Sequence, residues 1–158
     1  MKATDMLKRQ HREVEGLFAQ VKKAKHGSQR RTLVDEIGEK LRAHMMIEET
    51  IFYPAVAEEV TTKKVKEMVP EAYEEHHVVQ LVLDELPDVD FEDERFEAKM
   101  TVLEELIQHH VGEEEETMFP AAEKALGAEA LTELAEQMRA AIPGDDGEGR
   151  QEAAHARH

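Results

Sequence analysis

The 158-residue sequence has no cysteine, only 4% aromatic residues and no long apolar segment. The absence of cysteine excludes disulfides, thiolate chemistry, iron–sulfur clusters and cysteine-based zinc sites. No stretch approaches the ~20 apolar residues of a membrane-spanning helix, and no export signal is visible, so we expect a cytoplasmic protein. Basic residues are outnumbered, with 20 Lys+Arg against 36 Asp+Glu. The resulting net charge of −16 argues against nucleic acid or an anionic membrane as a partner, because phosphate contacts need a basic patch.

The residues that are abundant favour helices. Glu, Leu, Ala and Lys are common, and β-branched runs are few. Apolar residues recur at spacings of three and four, which predicts helices over about 4–25, 29–59, 62–86 and 93–126. With short connections these should form an all-α, antiparallel up-down-up-down four-helix bundle. A short amphipathic helix is expected over 128–141, so residues 1–142 make one domain, and the polar tail 143–158 is expected to be disordered.

Two prolines lie inside these helical patterns. Proline lacks a backbone N–H and clashes with the preceding turn. A kink or an early end is therefore expected at Pro54 in the second helix, and a kink or a break at Pro70 in the third. The unbroken periodicity of the second helix places Ile51 and Ala55 on its inner face.

The main chemical signal is a motif that occurs twice. It reads His44-x-x-x-Glu48 in one copy and His110-x-x-x-Glu114 in the other, and each copy closes on an aromatic residue and a proline. A spacing of four puts the imidazole and the carboxylate on one helical face. This pair of ligands suits iron, and also manganese or zinc. The repeated motif therefore predicts a metal site inside the bundle.

Predicted turns near positions 27–28, 62 and 93 lie midway between pairs of polar residues on the inner helix faces. In an antiparallel bundle such pairs lie at one height. The six residues brought together are His11, His44, Glu48, His76, His110 and Glu114. A buried carboxylate costs several kcal/mol unless it is paired or bound to a metal. Six donors are more than one tetrahedral ion can bind, so we predict two ions about 3.5 Å apart. The histidines of the first two helices would hold one ion, those of the last two the other, and both glutamates would span the pair.

Two of these histidines have a histidine neighbour. The four-residue spacing to Glu114 selects His110 as the metal ligand and leaves His109 on the surface. For His76 and His77 the signals conflict. The 66-residue offset between the two copies of the motif maps His11 onto His77, whereas the spacing of the apolar residues that follow matches His11 to His76. Side-chain direction is the stronger constraint, so we select His76.

Two glutamates adjacent to the motif glutamates also have an expected role. Glu49 and Glu115 each follow a candidate ligand directly. We expect both to lie at the surface or to hydrogen-bond a ligand imidazole from outside.

This pattern resembles the hemerythrin HHE cation-binding domain, and in particular bacterial hemerythrin-like proteins of the actinobacterial type. The resemblance covers about residues 4–126 and rests on the lone His11, the Glu-Glu-His76 segment and the two His-x-x-x-Glu motifs. It implies a four-helix bundle around a non-haem diiron centre, in which oxo or hydroxo and carboxylate groups bridge two iron ions.

The sequence departs from the oxygen-carrying members at one ligand. They have a further histidine where this chain has Ala72. One ion is therefore expected to have an open, water-filled or differently ligated position, with Tyr73 or Tyr53 as the nearest candidates for an extra ligand. An open position suits reactive chemistry better than reversible oxygen storage.

The resemblance implies a protein that binds and processes a small oxidant, namely peroxide, dioxygen or nitric oxide. Its enzymatic form would be catalase-like peroxide disproportionation in stress defence, with no catalytic residue beyond the metal ligands. The alternative is a non-catalytic module that senses or carries oxygen, nitric oxide or iron. A plain bundle with incidental histidines ranks last. We expect a monomer or a weak homodimer.

Overall fold

The computed structural model describes residues 1–144, and in this range the chain is a bundle of helices without strands. The helices are α1 (Ala3–Lys23), α2 (Gly27–Ile47), α3 (Tyr53–Glu59), α4 (Lys63–Glu85), α5 (Glu94–Glu113) and α6 (Phe119–Ala141). Two π-helical turns, Glu48–Phe52 and Glu114–Met118, join α2 to α3 and α5 to α6. A 3₁₀ turn, Leu86–Asp88, follows α4. The all-α bundle is confirmed, whereas the tail prediction falls mostly outside the described residues.

Each long helix of the bundle buries one face. On α4 and α5 most of the buried residues recur at spacings of three and four, namely Val65, Val69, Ala72, His76, Val79 and Leu83, and Phe96, Met100, Leu103, Ile107 and His110; Met68 and Val111 are buried as well. Burying each large apolar side chain contributes roughly 1.5–3 kcal/mol. Within residues 1–144, no helix is both long enough and apolar enough to cross a membrane.

Neither proline ends its helix. Tyr53, just before Pro54, donates its N–H to the Glu48 carbonyl five residues back, the bond of a π-helical turn. Through this turn the helix continues past Pro54 to Glu59, although proline has no N–H to donate. Pro70 lies inside α4, which continues without interruption. The expected early end and break are therefore wrong.

The first π-helical turn also shifts the buried face. A π-helical turn holds about one residue more than an α-helical turn, so the inner positions after it move along by one. Ile51 and Ala55, predicted to lie inside, are partly exposed, whereas Phe52 and Val56 are fully buried. The second π-helical turn acts in the same way and buries the corresponding residues of the repeat, Met118, Phe119 and Ala122.

Helix α6 is interrupted at Gly127, as predicted. Its backbone angles are φ 84 and ψ 166, a region that is almost exclusive to glycine. After the interruption, Leu131 and Met138 are fully buried in the same apolar cluster as Ala3 and Met6 of α1. The predicted short amphipathic helix is thus confirmed as the second part of α6, which covers one end of the bundle.

Replacing Gly127 with alanine is expected to destabilise the protein by about 1–3 kcal/mol, the usual cost of a side chain in this backbone region. No atom lies within 4 Å of the added methyl group, so backbone strain alone is the cause. Gly16 in α1 is the matched control, because its site is equally open but helical. Gly16→Ala should leave stability unchanged or raise it. Equal unfolding free energies for both variants in urea would contradict this account.

Candidate metal centre

The six predicted donors lie in one layer between two apolar clusters. Their exposed fractions range from 0% to 7%. One cluster contains Phe52 and Phe119, and the other contains Phe18 and Phe96. We call the six residues the polar layer: His11, His44, Glu48, His76, His110 and Glu114. The structure therefore brings together every residue that the motif and turn positions select.

One group of donors comes from the α1 and α2 side of the layer. Its donor atoms all lie within 4.8 Å of one another, and its members are His11, His44, Glu48 and Glu114. Nε2 of His44 is 3.2 Å from Oε1 of Glu48. Nε2 of His11 is 3.3 Å from Oε1 of Glu114. This side of the layer contains two imidazoles and two carboxylates.

A second group lies on the α4 and α5 side and consists of Glu48, His76 and His110. Oε1 of Glu48 is 3.2 Å from Nε2 of His76 and 3.9 Å from Nε2 of His110. Oε1 of Glu114 is 3.3 Å from Nε2 of His110. Both glutamates thus reach both sides, which is the arrangement expected for two ions that share two carboxylates.

The donor atoms fit metal ions in spacing and in bonding. Two ligands on one ion, with bonds of about 2.0–2.2 Å, lie roughly 3.0–3.4 Å apart, which matches most of the separations above. Several of these buried atoms have no hydrogen-bond partner within residues 1–144: Nε2 of His11 and His44, both carboxylate oxygens of Glu48, and Oε1 of Glu114. An unsatisfied buried polar group costs about 1–3 kcal/mol. A cation in each group would satisfy these atoms together.

The two carboxylates differ in protonation when no metal is bound. Burial and the charge of Glu48 raise the pKa of Glu114 to about 7. Burial also acts to raise the pKa of Glu48, but the charge of the nearby His44 and the closeness of Glu114 and His110 hold that pKa well below its ordinary value. Two adjacent buried carboxylates do not both ionise readily. Without metal, Glu114 is the one that retains its proton.

Metal-free protein is therefore expected to lose stability as the pH rises from about 5 to about 7.5. The folded-state pKa of Glu114, about 7, lies above its ordinary value, so folding favours the protonated acid. That stability is lost as the pH passes the folded-state pKa. The Tm of chelator-treated protein should fall by on the order of 5 °C over this range. Glu114→Gln should flatten the dependence, and a Tm that rises with pH would contradict it.

Each histidine of the polar layer is also held from outside through Nδ1. The four pairs are His11 with Glu115 (2.7 Å), His44 with Gln10 (2.6 Å), His76 with Glu49 (3.0 Å) and His110 with Glu75 (2.9 Å). Such a bond fixes the ring and leaves Nε2 facing the layer. The prediction for Glu49 and Glu115 is confirmed. Gln10 and Glu75 were missed, although each directly precedes a polar-layer histidine in the sequence.

The neighbouring histidines lie outside the layer, as predicted. His77 is exposed, and the side chain of His109 is 65% exposed. The choice of His76 over His77 by side-chain direction therefore agrees with the structure.

Of the two candidate tyrosines, only Tyr53 faces the polar layer. Its hydroxyl donates to Oε2 of Glu114 at 2.9 Å and lies 3.2 Å and 3.1 Å from Nε2 of His76 and His110. The Tyr73 hydroxyl donates to the backbone carbonyl of Glu49 instead, away from the layer. Tyr53 thus places a hydroxyl on the α4 and α5 side of the layer.

Fold and layer together define a helical bundle built around a His and Glu metal-donor site. The chain belongs to the hemerythrin HHE cation binding domain family, whose model matches residues 2–122. A crystal structure of a hemerythrin HHE cation binding domain-containing protein from Mycobacterium kansasii is similar, with a TM-score of 0.78 and 27% identity over 94% of this chain and 89% of that chain. The predicted family is confirmed, and with the two donor groups it indicates metal binding.

A curated relative is the DNA nickase of Nostoc sp. (strain PCC 7120 / SAG 25.82 / UTEX 2576). It is 23% identical over 141 residues, which is 89% of this chain. The chain spans only 39% of that protein's length.

Proposed function

We propose that this protein holds two iron ions in its polar layer, with manganese or zinc as alternatives, and processes a small oxidant. The favoured activity is catalase-like disproportionation of hydrogen peroxide to water and oxygen, with dioxygen and nitric oxide as further ligands. His11 and His44 would hold one ion, and His76 and His110 the other, with the two glutamates shared. The bound iron would supply the reversible electron transfer that peroxide chemistry needs, which no side chain of this chain provides.

The observation that carries the proposal is a small buried cavity against the layer. It has a volume of about 20 Å³ and is lined by the four polar-layer histidines and by mainly apolar side chains, among them Val14, Leu41, Val79 and Ile107. A volume of about 10–15 Å³ is enough for one water-sized molecule. The cavity supports a diatomic or peroxide-sized ligand and is too small for an organic substrate.

In this proposal Tyr53 supplies a proton to the polar layer from outside the lining of the cavity. Burial and the charges of Glu48 and Glu114 raise its pKa well above the ordinary value, so the hydroxyl keeps its proton. Oη donates that proton in a hydrogen bond to Oε2 of Glu114 at 2.9 Å. The corresponding residue of the repeat is Phe119, which stacks on the His11 ring. Of these two corresponding positions, only Tyr53 offers a proton donor, and it does so on the α4 and α5 side, where we expect Ala72 to leave one ligand position open.

Tyr53→Phe tests this role. Iron-loaded protein should evolve oxygen from peroxide, and Tyr53→Phe should keep both irons while the rate falls about 100-fold or more, the usual contribution of a positioned acid or base. Tyr73→Phe is the control, since within residues 1–144 that hydroxyl bonds only to a backbone carbonyl. Equal rates for the parent and Tyr53→Phe would remove the tyrosine from the mechanism. Iron-loaded protein that takes up oxygen reversibly without turnover would favour the carrier or sensor.

The activity of the curated relative belongs to a protein of which this chain spans only 39%. The net charge of −16 also disfavours contact with phosphate backbones. We propose a small-molecule partner, no nucleic acid and no membrane.

A further inference from the structure

A third group of donors lies on the surface of α4 and α5, outside the polar layer. Nε2 of His109 is 3.0 Å from Oε1 of Glu113 and 3.5 Å from Oε2 of Glu75. One ligand atom from each of the three lies within 4.8 Å of the others. Their side chains are 65%, 32% and 24% exposed, respectively, so solvent and ions can reach them.

We propose that Glu75, His109 and Glu113 bind one divalent first-row cation, in addition to the ions of the polar layer. The 3.0 Å between His109 and Glu113 lies within the roughly 3.0–3.4 Å expected between ligands that share an ion, and the 3.5 Å between His109 and Glu75 lies just beyond it. His109 and Glu113 repeat, one position earlier on α5, the four-residue spacing of the buried motif, and Glu75 adds a donor from α4. One imidazole and two carboxylates suit zinc or manganese and leave room for water.

The charged groups around Glu75 and Glu113 favour binding of a cation. Within residues 1–144, Glu75 and Glu113 form ion pairs only with histidines, whereas Glu104 on the same helix as Glu113 pairs with Lys22. His109 and Glu113 line a cleft of about 520 Å³ whose other charged residues are Lys64, Glu67, Glu71 and Glu116. Four lining glutamates outnumber Lys64, so the cleft has a net negative charge that attracts a cation.

Glu75 connects this site to the polar layer. Its Oε1 accepts from Nδ1 of His110 at 2.9 Å, while its Oε2 faces His109. A cation on Oε2 draws electron density from the carboxylate that holds His110, and thereby makes that imidazole a weaker donor at Nε2. An ion at the surface should therefore alter the electronic properties of metal bound at His110.

The test is a zinc titration of protein whose polar layer is already loaded with iron, followed by dialysis and elemental analysis. One zinc ion per chain should bind beyond the iron, with a change in the iron absorption spectrum. His109→Asn/Glu113→Gln should lose this zinc and the spectral change while its iron content stays constant. The control is His77→Asn/Glu74→Gln, which alters the same residue types at exposed positions of α4 and should retain both.

Absence of the extra zinc, or its retention in His109→Asn/Glu113→Gln, would overturn the proposed site. Extra zinc with an unchanged iron spectrum would overturn the coupling through Glu75. These outcomes are separate from the proposed function, because the readout is a zinc count and not peroxide turnover. If the polar layer does not take iron, zinc can occupy it, and the double variant should still bind one zinc fewer than the parent.

Discussion

Glu48→Ala is expected to abolish binding of both metal ions. Glu48 belongs to both donor groups, and its Oε1 lies 3.2 Å from Nε2 of both His44 and His76. Removing a side chain that only orients a ligand already lowers affinity about 10–100-fold. Loss of a shared ligand should lower it by more than about 100-fold at each site, and metal analysis after gel filtration should find almost none.

Substitutions of two other glutamates provide the controls for Glu48→Ala. Glu49 holds His76 from outside at 3.0 Å, so Glu49→Ala should weaken binding about 10–100-fold and still give two ions at saturating metal. Glu116 is exposed and lies outside both buried groups, so Glu116→Ala should leave affinity unchanged. Two tightly bound ions in Glu48→Ala would show that the polar layer is not the metal site.

Removing metal from the parent protein should lower its Tm by about 10–20 °C. Each ion that binds only the folded state adds about 2.7 kcal/mol when its free concentration is 100 times its Kd. For a chain of this size, 1 kcal/mol corresponds to about 2–4 °C. In addition, removal leaves the unpartnered atoms of the polar layer buried. Calorimetry before and after dialysis against a chelator measures the difference.

The same scan on Glu48→Ala separates metal loss from other effects of the chelator. This variant has lost its metal ligand, so its Tm should be the same before and after dialysis. Reloading the parent with ferrous iron should restore its original Tm. A parent Tm that does not respond to the chelator would favour a bundle whose histidines are incidental.

The positions of the polar layer could be predicted from the sequence for a geometric reason. The four-residue spacing of His110 and Glu114 sets their common face, and turns of fixed position set their height in the bundle. Both constraints follow from helix geometry. They do not depend on how neighbouring side chains pack, which explains why all six donors were found.

The π-helical turns could not be predicted from periodicity. Pro54 indicated a disturbance of the helix but not its form, because a kink, an end and a π-helical turn all accommodate the missing N–H. The turn shifts the inner face by one residue, which replaces Ile51 with Phe52. It also accounts for Tyr53 facing the layer, whereas Tyr73, on an undisturbed helix, points away. The choice between the two tyrosines therefore required the structure.

The outer partners Gln10 and Glu75 were missed for a different reason. Each lies on the same helix as a polar-layer histidine but holds the histidine of a neighbouring helix. Such a contact depends on the rotation of two helices about their axes, and an amphipathic pattern defines that rotation only coarsely.

The most direct test is metal analysis of protein reconstituted with excess ferrous iron in the absence of other metals, desalted, and followed by a crystal structure with anomalous scattering at the iron edge. The proposal predicts two iron ions per chain, one near His11 and His44 and the other near His76 and His110. Glu48 and Glu114 should lie between them. No iron, one iron, or iron bound only at surface carboxylates would contradict it.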